Sequence, residues 1–185
     1  MAKVIVVDYD PSWAATFERL RAGIWPCIRD VATAIEHVGS TSVRGLAAKP
    51  IIDMTIVVPT GAAMQTVIDR LPVIGYRHRG DLGVPGREAF ARPPGTPDHH
   101  LYACVVGNDG LRNHLAVRDY LRRDAVAAQA YGNLKKQLST GFADDIDGYV
   151  DGKTEFILAI LAGADLSPEQ IDTIRAINSK PQEAG

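Results

Sequence analysis

The stretch from His37 to Val58, HVGSTSVRGLAAKPIIDMTIVV, most constrains what this chain can fold into. Strand-forming residues run into a Gly-Ser turn, cross a loop of small residues, and return into a strongly apolar strand carrying one acid, Asp53. A strand apolar at both parities is expected at the centre of a sheet covered on both faces. A carboxylate on such a strand is costly unless it is paired or bound to something. The Gly39-Ser40 turn upstream offers backbone donors of the kind that cradle phosphate. Turn and acid together point to a site for a nucleotide or for metal-bound phosphate.

The rest of the chain supplies a sheet and helices around this centre. Val4 to Val7 reads as a short strand, and Asp10-Pro11 as a helix start, with Asp as N-cap and Pro at the first helical position. Trp13, Phe17, Leu20 and Ile24 follow at helical spacing, and Pro26 is expected to end or kink that helix. Strands are expected at Ala32 to Val38, Ile51 to Val58, Arg87 to Arg92 and His99 to Val106, with a helix over Gly61 to Leu71. Arg77 to Gly86 reads as a loop or hairpin, and Pro93 to Pro97 as a turn-rich break. From Arg112 onward the pattern is helical, over Leu115 to Arg123, Ala125 to Leu138, and a stripe of Ile146, Val150, Ile157, Ile160 and Leu161. Ser167-Pro168-Glu169-Gln170 signals a last short helix, and Ser179 to Gly185 a frayed tail. The fold expected is one α/β domain with a helical C-terminal half packed on it.

Bulk properties narrow the partners. A formal net charge of −2 and 6% aromatic residues give no general support for a nucleic-acid binder. Cys27 and Cys104 have neither metal spacing nor a disulfide framework, which fits a reducing cytosol. The opening MAKVIVVDYD is too short and too acidic for a signal peptide, and no apolar run approaches a membrane span.

The chemistry concentrates in Val38-Gly39-Ser40, a spacer over residues 41 to 52, and then Asp53-Met54-Thr55. Nucleotidyltransferase-fold proteins carry a similar turn, a spacer of similar length and an acid-hydrophobic-acid strand. Period-two alternation puts both acids on one face. There they hold Mg²⁺ ions that bridge nucleotide phosphates. HVGSTSVRGLAAKPIIDM closely resembles the core motif of the GrpB family, a set of nucleotidyltransferase-fold proteins. The resemblance continues through Asp8-Tyr9-Asp10-Pro11 with Trp13, Gly75-Tyr76, His99-His100-Leu101, Arg118-Asp119-Tyr120-Leu121-Arg122, Tyr131 with Leu134-Lys135, and Tyr149 with Lys153.

This resemblance implies a bacterial, cytoplasmic protein with a nucleotidyltransferase-like mixed sheet and helices. It implies a single domain over about 1–178, with a sheet core to about 107, a helical half over about 111–178 and a tail at 179–185. It implies a catalytic Asp53, a nucleotide or phosphorylated ligand held by Gly39, Ser40, Thr41, Ser42, Lys49, Arg118, Arg122 and Lys153, and a divalent metal (Mg²⁺ or Mn²⁺, or else Zn²⁺) on Asp53 and His100. Thr55 departs from the pattern where the second acid is expected, so Glu36, His37, Asp98 or His100 is a candidate for the missing ligand. Tyr102 also departs from the family's His-His-Leu-His block and suits stacking or hydrogen bonding instead.

Each assignment has a plain structural alternative. The Gly-Ser turn can be only a turn, and Asp53 an acid paired with Lys49 or an Arg. His99 and His100 must point to opposite faces of a strand, so at most one reaches a site. Arg118 and Arg122, four apart on one helix face, suit bidentate phosphate recognition or local ion pairs. Lys153 falls on the apolar stripe between Val150 and Ile157, so it either snorkels outward or enters a cleft. Arg77, Arg79, Arg87 and Arg92 could rim an anion site or simply cover a surface loop. Three functions follow: a metal- and nucleotide-dependent transferase, an accessory binding domain that lost its second acid and acts with a protein partner or in coenzyme A metabolism, or a nucleic-acid module, which the acidic charge and low aromatic content disfavour. GrpB-like domains fused to dephospho-CoA kinase motivate the second.

Overall fold

The computed structural model describes residues 3–162 together with residues 172 and 175. It opens with α1 (Ser12–Ile28), followed by β1 (Ala34–Val38), a one-turn 3-10 helix (Ser40–Ser42) and β2 (Ile52–Val58). Next come α2 (Gly61–Arg70), a 3-10 turn (Leu71–Ile74), β3 (Arg77–Gly80), β4 (Arg87–Ala91) and β5 (His99–Val105). Three helices end the described chain: α3 (Asp109–Arg123), α4 (Ala125–Gly141) and α5 (Ile146–Ala162).

The sheet order is β1-β2-β5-β4-β3. Only β2 and β5 run parallel, joined by a crossover that contains α2 and the β3–β4 hairpin. β2 is thus an inner strand, as its apolar sequence demands. Ile52, Met54 and Ile56 face α1 and α2, in a core with Trp13, Phe17, Leu20, Ile24 and Val67. The other parity, Asp53, Thr55 and Val57, faces α3, where Val57 packs with Cys104 and Leu111. The helical half closes over this second face, with Leu46 and Val43 seated among Leu121, Tyr131 and Ile160.

Several local expectations change. Val4 to Val7 makes only an isolated bridge, Val7 to Ala48, because it meets a loop and not a strand edge. α1 runs through Pro26 to Ile28, since Ile24 and Ile28 are buried in the core and hold the last turn in place. The helix start is as expected, since Pro11 already has helical backbone angles and Asp10 Oδ1 accepts from the Ser12 amide at 2.8 Å as its cap. α3 starts at Asp109, earlier than expected, because the Asn108 side chain accepts from the Gly110 and Leu111 amides. The helix expected after Ser167 and the tail from Ser179 lie outside the described residues, save that Arg175 pairs with Glu155 on α5.

Candidate functional site

Asp53 stands at the start of β2, where Val38 of β1 and His100 of β5 lie beside it in register. The chain leaves β1 through Gly39, whose φ of +68° favours glycine. A Cβ there would come within 2.2 Å of Asp53 Oδ2, so the turn backbone sits directly against the carboxylate. His100 Nδ1 donates to Asp53 Oδ1 at 2.9 Å. Burial by itself would raise the Asp53 pKa. The bond from His100 and the fields of His100, His114 and Lys49 outweigh it, and the carboxyl is held below its ordinary value. The side chain is ringed by protein but keeps 32% of its surface open, so Asp53 is an ionised group at the mouth of a cleft.

The turn beyond Gly39 is held by its own hydroxyls. Ser42 Oγ donates to the Gly39 carbonyl at 2.6 Å, and Arg122 Nε and Nη2 both donate to the Ser42 carbonyl. Thr41 is buried, with Oγ1 3.0 Å from His37 Nε2. His37 stacks on Phe17 and belongs to the α1 side of the sheet, away from Asp53, and burial pushes its pKa down to about 4. It is therefore no candidate for the missing ligand.

Glu36 shares the face of Asp53 and lies opposite Thr55 in register, yet Arg118 Nη1 holds it at 2.6 Å. Arg118 also binds Asp119 and the His37 carbonyl, and its side chain is only 12% exposed. Arg118 and Arg122 thus tie α3 to β1 and to the turn. Asp98 is exposed and pairs with Arg92. Thr55 is fully buried, and its hydroxyl has no hydrogen-bond partner among the described residues. His99 bonds Tyr76 and the Pro97 carbonyl in the core, leaving His100 as the outward member of the pair. Tyr102 is next to Thr55 in register, and the Arg87 guanidinium covers its ring at 4.4 Å. Among the described residues, no three His, Cys, Asp or Glu side chains converge as a metal-binding group.

The helical half brings lysines to the same place. Lys49 and Lys153 both lie over the Tyr149 ring, at 5.8 and 4.5 Å. Lys153 therefore enters the cleft. Lys49 makes no ion pair with Asp53 but feels its charge. Lys135 on α4 is 2% exposed and lies 4.6 Å from the Tyr131 ring, and its ammonium has no hydrogen-bond partner among the described residues. Burial and the field of Lys153 push Lys135 down to about 7, against the pull of Asp53. Burial and Lys49 push Lys153 down to about 8.

Lys135 and His114 carry no role in the sequence reading. Lys135 could have been found by the same signal as Lys153, since it continues the buried stripe Ala128, Tyr131 and Gly132. His114 had no such signal. A cavity of about 330 Å³ lies across the turn, lined by Tyr9, Phe17, His37, Thr41, Ser42 and Arg122. Its buried polar side chains, His37 and Thr41, are bonded to each other.

Comparison with known proteins agrees with this architecture. The family model described as GrpB protein matches residues 3–162. The chain is 38% identical over 159 residues to the UPF0157 protein YqkA of Bacillus subtilis, covering 84% of this chain but only 45% of that relative's length. It is 28% identical to a dephospho-CoA kinase of Mycolicibacterium paratuberculosis, covering 80% of this chain and 43% of the kinase. The crystal structure of conserved protein GrpB from Enterococcus faecalis superposes with a TM-score of 0.77 at 34% identity, covering 91% of this chain and 98% of that one. The structure of Cid1 with its short product ApU shares the fold, with a TM-score of 0.52 at 12% identity over 74% of this chain and 45% of that one.

Proposed function

The chain belongs to the GrpB family, and on that premise we propose that it binds a nucleotide or other phosphorylated small molecule beside Asp53, in a nucleotidyltransferase-like site. The observation that carries this reading is the seating of the Gly39 backbone against an ionised Asp53 at the mouth of a lysine-lined cleft. Turn amides can receive a phosphate, and the lysines can meet its charge. Catalysis in such a site is positional and electrostatic. The nucleotide product in the Cid1 complex gives the fold a precedent for such a ligand.

The donors present fit one divalent cation better than two. Mg²⁺ usually takes one or two carboxylates and fills its remaining positions with phosphate oxygens and water. Asp53 can supply that carboxylate, so Mg²⁺ or Mn²⁺ shared between Asp53 and a bound phosphate is chemically sound. His100 could join only by giving up its bond to Asp53, and an imidazole would tilt the site toward Zn²⁺. Among the described residues, a second cation has no carboxylate to hold it, because Thr55 offers only a hydroxyl and Glu36 is turned to Arg118.

Calorimetric titration with nucleoside triphosphates, with and without Mg²⁺, tests the reading. Binding strengthened by Mg²⁺ in the native chain, with the Mg²⁺ effect lost in Asp53→Asn, is the expected result. Absence of nucleotide binding under every metal condition would overturn it.

Thr55 favours a second reading, a non-catalytic domain that binds its ligand or a protein partner without turning anything over. The likeness to a dephospho-CoA kinase directs that reading to coenzyme A precursors. Tight precursor binding with no turnover of any triphosphate would select it.

A further inference from the structure

Three lysines converge on the site from three separate parts of the chain. Lys49 comes from the loop before β2, Lys135 from α4 and Lys153 from α5. Lys49 and Lys153 share the Tyr149 ring, and Lys135 lies behind them over Tyr131. The carboxylate whose field reaches all three is Asp53, and it is already hydrogen-bonded by His100. Among the described residues, positive charge is therefore in excess here.

The Lys135 ammonium makes the excess acute. A buried ammonium needs acceptors for its three protons, and an aromatic face replaces them only in part. Leaving such a group buried and unpartnered is among the costlier things a fold can do. A chain gains nothing in stability from placing Lys135 there, since an apolar residue of the same shape would pack without penalty. The excess has the size and sign to match an anion of more than one charge. Among the described residues, no second carboxylate stands free at the same site to hold a second cation.

We propose that Lys135, with Lys49 and Lys153, forms an oligophosphate-binding site in which ammonium groups, and not a second divalent cation, neutralise a chain of two or three phosphates. This inference rests on the reading of the Asp53 cleft as a phosphoryl-ligand site and deepens it. The ligand class is any molecule bearing a linear di- or triphosphate. A nucleoside triphosphate, dephospho-CoA with its diphosphate and inorganic tripolyphosphate all present that chemistry. Lys49 and Lys153 meet the phosphate oxygens, while Lys135, whose ammonium is closed off from solvent in the free chain, adds its charge from behind them.

The test is calorimetric titration of inorganic tripolyphosphate into the full chain in EDTA near pH 7. Binding is expected without any divalent metal. Lys153→Met should weaken it roughly tenfold or more, the order expected for loss of a charge-assisted hydrogen bond, and Lys135→Met should weaken it to a smaller extent through the lost charge. The melting temperature of the free Lys135→Met protein should not fall, which separates a lost ligand contact from a damaged fold. Asp53→Asn, by removing the nearby negative charge, should tighten tripolyphosphate. No binding in EDTA, or unchanged affinity in both lysine variants, would overturn the proposal.

Two further arms separate this inference from the reading beneath it. Triphosphate nucleotides that bind with Mg²⁺ equally well to native protein and both lysine variants would keep the nucleotide reading and remove this one. Tripolyphosphate or dephospho-CoA binding through the lysines, with no affinity for any nucleoside triphosphate, would keep this one and remove the nucleotide.

Discussion

The two faces of the sheet are cut from the same strands and differ in what they leave unfinished. Toward α1 and α2, β2 presents Ile52, Met54, Ile56 and Val58, each at most 2% exposed and packed in a continuous apolar core. Toward α3, the same strand presents Asp53 and Thr55, with Glu36, His100 and Tyr102 as neighbours. On the first face even His37 is stacked on Phe17 and bonded to Thr41. On the second, some charges are closed into structure, as Glu36 is with Arg118. Others, above all Lys135, are not. The first face therefore carries stability, and the second carries an electrostatic imbalance that a ligand can relieve.

The comparison breaks most visibly through truncation of the first face. Ile56→Ala should cost about 2–5 kcal/mol in denaturant unfolding, as large-to-small changes in a close-packed core do. Tripolyphosphate affinity of the folded fraction should stay unchanged. A mild cost would mean that this face is not the main source of stability.

The opposite sign is expected on the second face. Lys135→Met should stabilise the free chain by about 1–4 kcal/mol, the range seen when buried charges give way to apolar side chains. A fall in stability would mean that Lys135 has a structural partner, and the two faces would then differ less than argued.

Gly39→Ala tests the seam between them. The positive φ and the approach to Asp53 should together cost about 1–3 kcal/mol. Nucleotide binding should suffer more than stability, because the added methyl displaces the Asp53 carboxylate itself.

The pH dependence of the free chain sharpens the contrast further. Lys135 and Lys153 are pushed down to about 7 and about 8 from an ordinary 10.5, with Lys49, Asp53, Tyr131 and Tyr149 facing them. Below both shifted values the lysines are charged in the folded and unfolded chains alike, and the burial cost is complete. As pH rises from 7 to roughly 9, the unfolded chain holds the extra protons and the folded one releases them, so stability rises. Tyr131 and Tyr149 stay protonated in this window, since burial raises both. Oligophosphate needs the charged ammoniums, so its affinity should fall over the same range. Melting curves and titrations across that range should slope in opposite directions, and Lys135→Met should flatten both.

The smallest effect is expected at Thr55. Its hydroxyl is buried without a partner among the described residues, so Thr55→Val should be neutral or stabilising by about 1 kcal/mol in thermal unfolding. A clear loss would reveal a polar role for Thr55 in the site.

Much of this was legible along the chain. The apolar parity of β2, the Gly39-Ser40 turn and the spacing to Asp53 placed a central strand and its acid correctly. The split of His99 and His100 to opposite faces followed from strand geometry alone, and Lys153 stood out because a charged residue interrupted an apolar stripe. The early start of α3 was less visible, because Asp109 and Gly110 form helix poorly and only the Asn108 cap and the packing of Leu111 start the helix there.

Sequence by itself determined the elements, the motif and the resemblance to one family, because period, turn chemistry and motif spacing are properties of neighbours along the chain. Whether Arg118 reaches a ligand or Glu36, and whether Lys49, Lys135 and Lys153 ever meet, depended on how the helical half closes over the sheet. These contacts join residues up to about a hundred positions apart. Their energies depend on burial and on which charges lie opposite, and both exist only once the chain has folded.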